Sequence, residues 1–295
     1  MGYSGRYHAA SLAAVFLALI IGILVGAGLA ARTDVEGSER RVLQEQIDEL
    51  EQRNRDLSAE ADLLQSQREA ADKYVGETYD VVMNGRLRAT NVAMLFVGPP
   101  DDDTLDAVEQ TLEDASAPAL VEMEALELAV NPQEIASALD PEFSGLTLDE
   151  VGRRLAEEFI TGGETPFWDA LTLVLVQDSR GTSSVEADAV VVSQTAVATD
   201  APTRLFLDGI YAGLARGGVP VVGVERTDVR GPSRIPLYQS RGLSSVDSVD
   251  TQVGRVALAV LLAGGQEGHY GLKPSAENGP LPRIEPLPLA PLPGG

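Results

Sequence analysis

Three kinds of hydrophobic spacing follow one another along the chain. From Ala9 to Ala31 there are 23 residues without a charge, AASLAAVFLALIIGILVGAGLAA, set between His8 and Arg32. As a helix this run reaches about 35 Å at ~1.5 Å per residue, enough for a hydrocarbon core of about 30 Å. A helix on the surface of a globular protein keeps a polar face, so the pattern predicts a transmembrane anchor over residues 1–31. A cleaved signal peptide is the competing reading. Arg6 supplies a positive start and Gly28-Leu29-Ala30 a small-residue cleavage site, but signal peptides use apolar runs of about 7–15 residues. The anchor reading gives a single-pass protein whose remaining chain lies outside the cytoplasm. Arg32, Arg40 and Arg41 oppose that orientation on a bare charge count, which large translocated domains override.

From Leu43 the spacing becomes heptad. Leu43, Leu50, Leu57 and Leu64 recur at every seventh position, and Ile47, Asn54 and Ala61 fill the other apolar seam. Leucine at d, a β-branched residue at a and one polar Asn at a specify a parallel two-stranded coiled coil. The predicted coil covers 38–82, continuing through Arg68, Ala71, Val75, Thr78 and Val82. It makes the chain a homo-oligomer, a homodimer in the simplest case. The competing reading is one amphipathic helix folded back on the globular domain.

Beyond Thr90 the spacing alternates between strands and helices. Asn91–Val97, Ala119–Leu126, Asp188–Ser193 and Val219–Val224 read as strands, with Glu122 and Glu124 marking the second as a sheet edge. Helices are predicted from Asp101 to Ala115, after the Asn131-Pro132 start, and from the Thr147–Glu150 capping box to Ile160. Further helices follow at Phe167–Val176 (where LTLVLV also suits a strand), Pro202–Arg216 and Asp250–Ala263. Strand, helix and strand in this order imply parallel right-handed crossovers. The fold class is therefore α/β: an N-terminal transmembrane helix, a long coiled-coil helix and a three-layer parallel-sheet domain of flavodoxin-like type over 85–272. Residues 273–295 form a Pro-rich tail, with seven prolines in the last 22 residues, expected to be disordered or polyproline-like.

Composition narrows the chemistry. A formal charge of −23 with pI near 4.3 excludes nucleic-acid phosphates as partners of the polar part. With no cysteine there are no disulfides, thiolate metal sites or cysteine nucleophiles. G-x-S-x-G, P-loop and G-x-G-x-x-G motifs are all missing, and the chain is not expected to be an enzyme. Ligands of a parallel sheet bind beyond the carboxyl ends of its strands. That edge would gather Asp101, Asp102 and Asp103, then Ser193 and Gln194, then Glu225 and Arg226. The three aspartates are a candidate site for a hard cation, against the plainer reading of an acidic helix cap. His269, in Gly-His-Tyr-Gly after the last helix, is the candidate soft ligand, against the plainer reading of a packing residue in a turn.

The opening Arg6-Tyr7-His8-Ala9-Ala10-Ser11-Leu12-Ala13-Ala14-Val15-Phe16-Leu17-Ala18-Leu19, then Gly22 and Gly26, resembles the actinobacterial MctB-type copper transporter family. Ser244–Asp250 leading into Gly254-Arg255-Val256-Ala257-Leu258, and Gly268-His269-Tyr270-Gly271, are similar to that family's C-terminal signature. The resemblance implies copper homeostasis in the cell envelope, by efflux or by a pore, with the outer membrane as one location. Copper is the one cofactor it implies. The ligand types point elsewhere: Cu(I) prefers thiolate and thioether, and the chain offers only Met83, Met94 and Met123 besides Met1, none in M-x-x-M spacing. Two function classes follow. One is a copper-homeostasis protein whose oligomer or envelope partner makes the conduit. The other is a coiled-coil envelope scaffold whose α/β head binds a protein or a glycan.

Overall fold

The computed structural model describes residues 4–143, 145–181, 185–229 and 231–287; the side chains of 1–10, 13 and 29–40 lie outside that description. The chain falls into two units, 1–71 and 72–295. In the first, residues 4–71 belong to one helix, α1 (Ser4–Met83). Its predicted seam is exposed, with Leu43 at 56%, Ile47 at 48%, Leu50 at 63%, Leu57 at 64% and Leu64 at 57%, and Asn54 is exposed beside them. Gln44–Asp48 and Arg53–Glu49 contacts, each between residues four apart, support the helix from within.

The expected transmembrane span is not found: among the described residues no helix is long and apolar enough to cross a membrane.

The second unit is built on a seven-stranded sheet. Its strands are β1 (Val92–Val97), β2 (Glu122–Leu126), β3 (Val176–Gly181), β4 (Ala189–Gln194), β5 (Val221–Val224), β6 (Ser244–Val246) and β7 (His269–Tyr270). Their order is β3-β2-β1-β4-β5-β6-β7. All neighbours are parallel except β2–β3. Without the antiparallel β3 the order starts 2-1-3-4-5 in parallel-strand numbering, the doubly wound order expected of a flavodoxin-like sheet. One more parallel strand extends it.

The helices lie in two layers. Ala93, Leu95 and Val97 of β1 face a core shared with α3 (Pro132–Ala138), α4 (Leu148–Thr161), α5 (Pro166–Leu175), α6 (Ala201–Arg216) and α7 (Ile235–Ser240). Val92, Met94 and Phe96 face the opposite core, with the end of α1, α2 (Asp102–Asp114) and α8 (Gln252–Leu262). Burial on both faces explains why β1, β4 and β5 read as unbroken apolar runs. In the first layer α4 and α6 touch backbone to backbone. A Cβ on Gly209 would lie 2.0 Å from the Asp149 carbonyl oxygen, and one on Gly152 would lie 2.3 Å from that of Phe206.

Four expectations change. Phe167–Val176 divides, as α5 and then the opening residue of the unforeseen β3. β2 is not a sheet edge, because β3 covers it and buries Glu122 and Glu124. The last turns of α1 do not continue the seam: Tyr79 and Met83 are buried in the second core, with Val82 packed against it. The tail is not disordered from Lys273, since Asp247, wholly buried, accepts hydrogen bonds from the backbone N–H of Leu272 and Lys273 and from Ser275 Oγ. Further along, Asn278 pairs with the His269 backbone, and Arg86 donates to the Glu285 carbonyl. Polar satisfaction by a buried carboxylate replaces the expectation from proline content. Residues 288–295 of the expected tail lie outside the described residues.

Candidate functional site

Because β1 is followed by β2 on one side and the chain later returns to β4 on the other, the loops at their carboxyl ends diverge and leave a crevice. A cavity of ≈450 Å³ lies there, at the ends of β1, β4 and β5. Its walls combine Pro99, Pro100, Val224, Val229 and Pro232 with Asp101, Asp103, Thr104, Gln194, Thr195, Glu225, Arg226, Asp228 and Arg234.

The acidic cluster at Asp101–Asp103 is organised around a guanidinium. Arg226 lies 3.6 Å from Asp101 and 2.9 Å from Asp228, and donates a short hydrogen bond to Asp103. Burial works against its charge, but Asp103 and the neighbouring carboxylates prevail and hold it above the ordinary arginine value. Asp101 also caps α2, accepting from the Thr104 backbone N–H at 3.1 Å. Asp102 is exposed and does not line the cavity. Among the described residues no group of three or more His, Asp or Glu could hold a metal ion.

Deeper in, the Glu225 side chain is only 2% exposed. It accepts from Lys273 Nζ at 2.6 Å and from the Arg234 backbone N–H at 2.7 Å. Lys273, placed in the tail by sequence, thus pairs with a carboxylate that lines the cavity. Gln194 is held by two phenols: its backbone N–H donates to Tyr238 at 2.8 Å, and Tyr211 donates to its side-chain oxygen at 2.6 Å. Burial pushes both phenols up, so both stay neutral.

His269 is far from forming a ligand set. It sits in β7, opposite Ser245 of β6, rather than in a turn. Its Nδ1 is 3.0 Å from Ser245 Oγ, and burial lowers its affinity for a proton. Ser245 is wholly buried, so this serine–histidine pair cannot meet a substrate. Met83, Met94 and Met123 are sealed in the second core, with Met94 and Met123 on adjacent strands in register. Periodicity alone could have found those methionines as core. Nothing in the sequence marks the Asp247 and Glu225 partners, because Leu272–Ser275 lie far along the chain.

The fold is an α/β domain of the doubly wound class with a cavity at the carboxyl ends of its strands, and the chain also carries a long helix with an exposed apolar seam. The chain belongs to the family described as "Copper transport outer membrane protein, MctB", which matches residues 3–141 and 153–280. It is 26% identical to "Copper transporter MctB" of Mycobacterium tuberculosis over 308 aligned positions, covering 90% of this chain and 95% of that protein. The protein of that name from Mycobacterium bovis matches to the same extent, at 26% identity.

Proposed function

We propose that this chain serves copper homeostasis at the cell envelope as an oligomer, with the copper conduit formed by the assembly or by a partner. The family match, running through both units, carries the reading. The name of the mycobacterial relatives, copper transporter, agrees with it. The exposed leucines of α1 support self-association as a parallel coiled coil. The uncharged run from Ala9 to Ala31 supports attachment to a lipid phase, with the α/β unit outside the cytoplasm. No catalysis is required of it. Cu(I) prefers thioether or thiolate ligands that solvent can reach, and the three internal methionines are enclosed in the core. The α/β unit therefore does not carry Cu(I) itself; a weak Cu(II) contact through His269 and oxygen donors is the most its surface offers.

The test has two parts. Cells lacking this chain should accumulate copper when grown with excess metal, and expression of the chain should restore the normal content; unchanged copper content overturns the reading. Isothermal titration of the detergent-solubilised full chain, beside His269→Ala, should give no micromolar Cu(I) binding. Tight Cu(I) binding that survives the substitution would put copper directly on this chain. A second reading, an envelope scaffold whose head binds a protein or glycan, is favoured by the polar ≈450 Å³ cavity. It takes over if copper content is unchanged while crosslinking in native membranes captures one partner through the α/β unit.

A further inference from the structure

Nothing described so far uses the two carboxylates of β2. Glu122 and Glu124 stand on one face of the strand, between Ala93 and Leu95 of β1 and Gly181 and Ser179 of β3. They are 2% and 8% exposed, and on each the Oε2 atom is enclosed without a hydrogen-bond partner. Ser179 Oγ donates to Glu124 Oε1 at 2.7 Å. Two residues apart on one face of the strand, the two carboxyl groups lie on the same side of the sheet and act on each other. The other charge acting on them is like in sign: Asp178 of β3, itself 3.8 Å from Arg180. β1 presents only Ala93 and Leu95 to them, and among the described residues no arginine, lysine or histidine forms an ion pair with either. Two ionised carboxylates in such a place would be desolvated and mutually repelled. One proton between them removes the mutual repulsion and one of the two buried charges: Glu122 donates as the acid and Glu124 accepts, as it does from Ser179.

We propose that Glu122 and Glu124 share one proton, and that this proton fastens the edge strand β3 to the sheet as a pH-sensitive latch. Burial, then the charge of Glu124, pushes the Glu122 carboxyl up from 4.5 to about 7. A carboxyl raised on folding contributes stability that is complete below the unfolded value and is lost as pH rises through the folded one. The latch is therefore closed in mild acid and released above about pH 7. Strand β3 is where release acts, because it is the outermost strand and pairs only with β2 among the described strands.

The experiment uses the detergent-solubilised full chain and its Glu122→Gln variant, in which an amide replaces the protonated carboxyl and keeps a donor. Infrared difference spectra should show a buried protonated carboxyl in the wild type that disappears between about pH 6 and 8 and is missing from the variant. Amide exchange at 178–181, measured relative to β1 so that intrinsic base catalysis cancels, should accelerate about tenfold across that range in the wild type and stay level in the variant. Glu158, also raised by burial, contributes equally to both proteins and cancels in their difference. Spectra that do not differ between the two proteins overturn the shared proton. A difference as expected, with β3 exchange level in both, overturns the latch.

Discussion

Between Arg41 and Ala71 every residue is exposed, leucines included, whereas Leu105, Leu155 and Leu261 of the α/β unit are 2%, 0% and 3% exposed. The residue type is the same; what differs is where its partner comes from. In the α/β unit the two core faces of the sheet meet helices of the same chain, so most of its pattern closes on itself. In 41–71 the polar contacts run along one helix, four residues apart, and leave the leucine seam with no internal partner. A fully buried leucine contributes about 1.5–3 kcal/mol, so the seam holds a substantial driving force for packing against another apolar surface, which self-association would supply.

The largest expected effect breaks the first half of that comparison. Leu50→Glu with Leu57→Glu puts like charges into the seam and should abolish self-association of the detergent-solubilised chain in sedimentation equilibrium. The thermal midpoint of the α/β unit should not move. A wild-type chain that sediments as a monomer at tens of micromolar would show that the seam is not a dimer contact.

The parts legible in the sequence were those whose signal is local. β1, β4 and β5 announce themselves as apolar runs, and the Asp101, Asn131 and Thr147 caps as start signals, because each depends on residues close together in the chain. β6 and β7, of three and two residues, are too short to carry a period and exist through their neighbours in the sheet. Glu122 and Glu124 misled for a physical reason: alternating charge signals a solvated edge, but the chain returns some fifty residues later as β3 and covers them. The aspartates and Arg226 were all placed at the carboxyl edge by position, whereas the ion pairing of Arg226 with Asp101 and Asp103 joins the loops of two strands and has no local signal. The Lys273–Glu225 pair was hidden by the prolines that follow it.

That pair gives the next effect, in the half of the molecule that closes on itself. Lys273→Met keeps the aliphatic stem but leaves the Glu225 carboxylate buried with only the Arg234 backbone N–H. Breaking a buried pair from one side costs about 3–5 kcal/mol, and the partial exposure of Lys273 lowers this to roughly 2–3 kcal/mol. Urea unfolding of the α/β unit should shift by that amount, while self-association through the seam stays as in the wild type. The double change Lys273→Met with Glu225→Gln should recover much of the loss, because the uncompensated charge is gone.

The smallest effect sharpens the comparison where the seam itself departs from apolar character. Asn54 occupies an a position among Ile47, Leu50, Leu57 and Ala61, and is exposed in the single chain. In a parallel pair the two Asn54 side chains meet and bond across the axis only in one register, which lowers stability and excludes shifted or larger assemblies. Asn54→Leu removes that restriction. The variant should associate at least as tightly as the wild type, but sedimentation velocity should resolve more than one assembly where the wild type gives one. The α/β unit should keep its thermal midpoint, since its two cores are built from residues 72 onward and do not include Asn54. A variant that remains a single dimer species would mean that register is set elsewhere, and would leave Asn54 as an ordinary solvated position on the helix.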